Sequence, residues 1–289
     1  MGEISRSCYR AGSGEPLVLL HGFLGSWPHW RPVLGELAAR HEVVAPTLAG
    51  HDGGPPFPIS TPLTLAAGAD SLERHLDELG VGTAHIAGNS MGGALALELA
   101  KRGRARSVVA LAPAGGWTDG DGEARRLAGL FARQLRLTRL IEPRLRTVMH
   151  RPSVRRGAFR EVMRHGELVA PADAVDLARA TLACTVADRA IAALLSDRGF
   201  ALGDLDRIAC PVLLASPQFD RILPVAEHAP RYRREIPGVE WRMLPGCGHV
   251  PMWDDTRLVV RTIDEFVSRH ATAAPPASAP AAALSPAGI

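Results

Sequence analysis

Residues 84–100 read Ala84-His85-Ile86-Ala87-Gly88-Asn89-Ser90-Met91-Gly92-Gly93-Ala94-Leu95-Ala96-Leu97-Glu98-Leu99-Ala100. An apolar, strand-like run (84–87) passes into a helix-like run (94–100) through a glycine-rich turn with a serine at its centre. The pattern G-x-S-x-G in that context predicts a nucleophile elbow. The chain must reverse so sharply from strand to helix that only small neighbours fit, and the serine takes a strained backbone conformation with its hydroxyl at the sheet edge. Ser90 is therefore the candidate nucleophile.

A serine hydroxyl is a weak nucleophile near neutral pH, so Ser90 requires a histidine to accept its proton and a carboxylate to orient that histidine. Both follow in the expected order. Pro211-Val212-Leu213-Leu214-Ala215 predicts a buried strand, and the loop behind it carries Asp220. Trp241-Arg242-Met243-Leu244 predicts the next strand, and the loop Pro245-Gly246-Cys247-Gly248-His249-Val250-Pro251 presents His249 ahead of a final helix. All three residues follow the carboxyl ends of expected strands, where an open parallel sheet forms its ligand crevice. Near the start, Leu17-Val18-Leu19-Leu20 runs into His21-Gly22-Phe23-Leu24-Gly25. The useful group there is the Phe23 backbone N–H, which with that of Met91 would form an oxyanion hole.

Taken together, the His21-Gly22-Phe23 strand end, the Ser90 elbow, the Asp220 loop and the Gly248-His249 loop resemble the α/β-hydrolase family over about Arg10 to Arg269. The resemblance implies an α/β fold with a mainly parallel sheet flanked by helices, an inserted helical cap, and a Ser90-Asp220-His249 triad. Asn89 beside Ser90 is similar to the elbow of hydrolases that cleave meta-ring-fission products. Their glycine-rich oxyanion segment is absent, because Phe23-Leu24 follows His21-Gly22. Where many relatives have D-x-x-G after the second strand, this chain has Thr47-Leu48-Ala49-Gly50-His51.

At 289 residues the chain is long enough for one large catalytic domain with an insertion. Helices are expected over Trp30 to Arg40 and Leu63 to Leu79, the second with Thr61 as N-cap and Pro62 at its first position. Beyond the strand Ser107 to Leu111, the segment from Trp117 to Phe200 breaks the βα alternation. The expected division is a first core part at 1–116, a cap at 117–200, a second core part at 201–270 and a disordered Ala/Pro-rich tail at 271–289. A pocket between cap and core would draw on Phe23, Trp27, Trp117, Leu130, Phe131 and Val250.

Arginines crowd the first half of the insertion, from Arg125 to Arg164. A basic amphipathic cap could approach an anionic membrane surface, but a solvated helical face accounts for the same pattern and is the preferred reading. The formal net charge is only +3 and no nucleic-acid motif is present. Cys8, Cys184, Cys210 and Cys247 form no C-x-x-C pair, and no metal-ligand spacing occurs, so neither metal nor organic cofactor is implied. The amino terminus lacks a signal pattern and no stretch is apolar enough to span a bilayer, which makes a cytoplasmic location the default expectation. The expected chemistry is hydrolysis of a small carboxylic ester through an acyl-enzyme. The same triad would also serve a carbon–carbon bond hydrolase or a cofactor-free perhydrolase, or persist as a vestige in a ligand-binding protein.

Overall fold

The computed structural model describes residues 3–271; the segment expected to be a tail lies, from residue 272 onward, outside the described residues. Its strands are β1 (Glu3–Ile4), β2 (Cys8–Ala11), β3 (Pro16–Leu20), β4 (Glu42–Pro46), β5 (Ala84–Asn89), β6 (Ala105–Leu111), β7 (Val212–Pro217) and β8 (Glu240–Leu244). They form one sheet in the order β1-β2-β4-β3-β5-β6-β7-β8. The β1–β2 and β2–β4 pairs are antiparallel, and every later pairing is parallel. The α-helices are α1 (Arg31–Ala38), α2 (Leu65–Glu78), α3 (Met91–Lys101), α4 (Glu123–Ile141), α5 (Leu145–Met149), α6 (Pro152–Phe159), α7 (Pro171–Ala183), α8 (Ala187–Leu195), α9 (Val225–Glu235) and α10 (Thr256–Arg269).

The near-continuous apolar runs of the central strands have a direct cause: helices cover both sheet faces, so neither set of alternating side chains meets water. Every residue of β5 and β7 is buried. On one face Val18, Leu20, Ile86, Val108 and Leu214 pack with α2 and α3. On the other, Leu17, Leu19, Val109, Leu111 and Leu213 meet α1 and α10. The period of two along each strand thus divides one sheet between two cores. Strand β8, at the edge, alternates between exposed and covered positions instead.

The strand order reverses at β3. The chain leaves β3 for β4 on one side, then returns to place β5 on the other. Such a switch point opens a crevice at the carboxyl ends of the two strands, because their following loops diverge. His21-Gly22-Phe23 and Ser90 emerge there. The five helices α4 to α8 are inserted between β6 and β7.

Helix α2 begins later than the sequence suggests. Thr64, not Thr61, is the N-cap, its hydroxyl accepting the Ala67 N–H at 3.2 Å. Gly199 from beyond α8 accepts the Leu65 N–H, so a tertiary contact fixes the start that Pro62 alone would have placed earlier. Many inserted arginines are engaged: Arg139 pairs with Asp188, Arg126 with Glu123 and Arg156 with Glu167. Buried Arg155 donates to the carbonyls of Met149, His150 and Glu167. Among the described residues no helix is long and apolar enough to cross a membrane.

Candidate active site

Ser90 sits between the end of β5 and the first residue of α3 with φ 57° and ψ −118°. A side chain with φ positive is strained, and the surroundings must hold it. Ser90 N–H donates to Leu111 O, and Ser90 O accepts from Ala94 and Ala114, so both backbone groups are fixed. Glycines make the turn possible. A Cβ at Gly88 would stand 2.2 Å from Gly92 O, and one at Gly92 would stand 2.1 Å from Leu20 O. The start of α3 therefore presses directly on β5 and on the end of β3.

Asp220, three residues beyond β7, accepts from the Ile222 and Leu223 amides through Oδ1, both at 2.8 Å. Its Oδ2 lies 2.8 Å from His249 Nδ1. With Asp220 as the acceptor, Nδ1 is the donor in this contact and Nε2 is the ring nitrogen left outside it. Both side chains are buried. His249 and Ser90 line one cavity, together with His29, Asn89, Gln134 and Thr181.

Two further residues, Asn89 and His29, join the loops, and neither is among the expected site residues. The Asn89 amide group donates to His249 O at 2.9 Å and to Leu111 O at 3.2 Å. Its Oδ1 is then the acceptor facing His29 Nε2 at 2.9 Å. Burial, partly opposed by that hydrogen bond, pushes His29 down to about 4, so its ring is neutral at physiological pH. Trp253 Nε1 donates to His29 O, linking the same residue to the segment after His249. Asn89 could have been noticed as the last inward residue of β5, whereas nothing local marks His29.

Met91 opens α3, so its amide is among the first-turn donors without an intrahelical acceptor. The Phe23 amide has no backbone acceptor among the described residues. Between these loops Gly22 is close enough that a Cβ on it would meet Ser90 Cβ at 3.3 Å. His21, fully buried, accepts from Leu48 N through Nε2 and faces Gly22 O through Nδ1. Burial holds it well below the ordinary histidine range.

The residues expected to wall a pocket separate into two groups. Phe23 and Phe131 border both the cavity shared with His249 and an apolar one that Ser90 also lines, Val250 borders the first, and Trp117 the second. Trp27 instead packs against Tyr9 at a ring separation of 5.7 Å and donates its indole N–H to Ser5 O. Leu130 packs beside the Trp117 cluster and borders neither cavity. Cys247 is wholly buried, and burial raises its thiol to about 12, so it is not a thiolate. Among the described residues no group of three or more His, Cys, Asp or Glu is placed to hold a metal ion.

The chain matches the alpha/beta hydrolase family over residues 17–262. It is similar to the epoxide hydrolase EphH of Mycobacterium tuberculosis, 30% identical over 206 residues that cover 71% of this chain and 95% of that one. Similarity to the 2-hydroxy-6-oxo-2,4-heptadienoate hydrolase of Pseudomonas putida is 25% identity over 92% of this chain and 94% of that protein. Among solved structures, a thermophilic esterase from Thermogutta terrifontis superposes with a TM-score of 0.70 at 24% identity, covering 92% of this chain and 94% of the other. That last likeness concerns the fold alone.

Proposed function

The chain belongs to the alpha/beta hydrolase family, and from that premise we propose that it is a serine hydrolase that cleaves carboxylic esters through an acyl-enzyme intermediate. The observation that carries this reading is the buried 2.8 Å contact between Asp220 and His249 Nδ1, with His249 and the strained Ser90 on one cavity wall. An imidazole so oriented has its basic nitrogen available to the serine hydroxyl.

In the proposed reaction Ser90 Oγ bonds to the carbonyl carbon while its proton passes to His249 Nε2. The carbonyl electron pair moves onto oxygen, and the Phe23 and Met91 amides hold that oxyanion; one such donor contributes roughly 3 kcal/mol in known hydrolases. As the oxyanion collapses, the bond to the alcohol breaks and the leaving oxygen takes the proton from His249. Water then repeats the sequence at the acyl-enzyme, returning free Ser90 and a carboxylic acid. Asp220 keeps the imidazole in the needed tautomer and stabilises its charged form. The α4 to α8 insertion acts as a cap, supported by Leu127 and Phe131 of α4 and Ala190 and Leu194 of α8 on the walls of the apolar cavity beside Ser90.

The test is turnover of p-nitrophenyl esters by the native chain and by Ser90→Ala. The variant should keep its fold and lose kcat by a factor on the order of a million; ester hydrolysis retained by folded Ser90→Ala would refute the reading. The full-length similarity to the Pseudomonas putida hydrolase favours carbon–carbon bond hydrolysis as the second reading. Failure with simple esters and turnover of a ring-fission product would select it.

A further inference from the structure

Two cavities meet at Ser90, and they differ in chemistry. The first is lined by His249 and the polar side chains of His29, Asn89, Gln134 and Thr181, set among apolar ones that include Leu24, Phe159 and Leu177. The second lacks His249 and is walled by Trp117, Leu127, Leu194, Ile222 and Leu223. Beyond the second lies a third cavity, between α2 and α8, whose walls include Leu63, Gly68, Leu72, Leu95 and Val186. Phe23, Leu65, Met91, Ala190 and Phe200 border both the second and the third, so they form the collar between them. His51 also borders the third cavity, and burial pushes it down to about 4, leaving it uncharged at neutral pH.

The chemistry of the proposed hydrolysis, on which this inference rests, orients a substrate across Ser90. A departing alcohol must take its proton from His249, so it lies on the His249 side. The acyl chain then extends to the opposite, apolar side, where no polar partner competes for it. We propose that the cavity between α2 and α8 is a tail site for a long, unbranched acyl chain threaded through the collar, so that the substrates are medium- to long-chain acyl esters. A short acyl group would fill only the second cavity and leave the apolar walls beyond the collar without contacts.

The experiment compares kcat/KM for p-nitrophenyl acetate, butyrate, octanoate and dodecanoate, and measures decanoate binding by calorimetry. Each methylene buried should raise kcat/KM about fourfold, so octanoate should exceed butyrate by a factor on the order of one hundred. Gly68→Leu fills the tail site from α2. A Cβ there would meet Leu95 Cδ2 at 3.3 Å, the mobile end of a side chain, and replacing a helical glycine favours the helix. The dodecanoate-to-butyrate ratio should fall more than tenfold in Gly68→Leu, and decanoate binding should be lost. Ala190→Phe, which obstructs the collar from α8, should do the same should the first variant fold poorly. Ester turnover with a flat or falling chain-length profile, or a profile unchanged in both folded variants, would overturn the tail site and leave the hydrolase reading standing. Decanoate binding that Gly68→Leu abolishes, without turnover of any ester, would uphold the apolar tail site and overturn the ester-hydrolysis reading, and with it acyl esters as the substrates.

Discussion

The Asn89 amide group donates to the backbone carbonyl of His249 at 2.9 Å, so the strand that delivers Ser90 is tied directly to the loop that delivers the histidine. Backbone strain at Ser90 fixes where the hydroxyl begins, and this hydrogen bond fixes where the imidazole begins. Asn89 is thus a direct side-chain link between the two segments. Asn89→Leu removes the link while keeping a buried side chain of comparable size. Because small misplacements of catalytic groups cost on the order of a hundredfold, kcat for ester hydrolysis should fall by about that factor, with KM much less affected. An unchanged kcat in the folded variant would show that the loops hold their positions without Asn89.

Asp220→Asn tests the orienting carboxylate separately. The amide oxygen can still accept from Ile222 and Leu223, which hold Oδ1 in the present structure. The group facing His249 Nδ1 becomes a donor or a neutral acceptor, and the wrong tautomer is favoured. Activity should fall on the order of ten-thousandfold with little change in thermal stability. Retention of a tenth or more of the native rate would remove Asp220 from the proposed triad.

Gly92→Ala addresses the elbow's packing. The new methyl would stand 2.1 Å from the Leu20 carbonyl oxygen, which is backbone at the end of a central strand and cannot move cheaply. Destabilisation of about 3 kcal/mol or more is expected, read from urea unfolding. Native stability in this variant would mean that α3 can withdraw from the sheet.

Histidines buried neutral impose a pH dependence on stability. His29 and His51 are both pushed down to about 4 by burial, whereas in the unfolded chain they titrate near the ordinary histidine value of 6.5. Below 6.5 the unfolded chain takes up protons that the folded chain does not, so unfolding becomes easier as the pH falls. Their stabilising contribution is fully present above the unfolded value and is lost as pH approaches the folded one. The free energy of unfolding should drop by a few kcal/mol between about pH 7 and about pH 4.5. A flat profile across that window would contradict neutral burial of these rings.

Much of the fold can be read along the chain because the central strands are apolar on both faces and the glycines mark where the backbone must turn. Val212–Pro217 and Ala105–Leu111 could hardly be anything but covered strands. Ser90, Asp220 and His249 stand out as candidates because each follows an apolar strand, and the structure places Asp220 against His249 and His249 on the same cavity as Ser90. Pocket walls were less legible, because whether a bulky residue faces a cavity depends on how α4 to α8 dock. Trp27 is a separate case: its ring packs tilted against Tyr9 of β2, a partner 18 residues earlier in the chain. His29 was invisible for a similar reason, since its partner Asn89 lies 60 residues away. The start of α2 combines a local cap at Thr64 with a contact to Gly199 that nothing nearby in the chain encodes.

The most direct measurement is fluorophosphonate labelling of the native protein followed by mass mapping of the modified peptide. The account predicts one phosphonyl adduct, on Ser90, absent after unfolding and strongly reduced in His249→Ala. An adduct at another residue, or an unmodified Ser90 in folded protein, would contradict it.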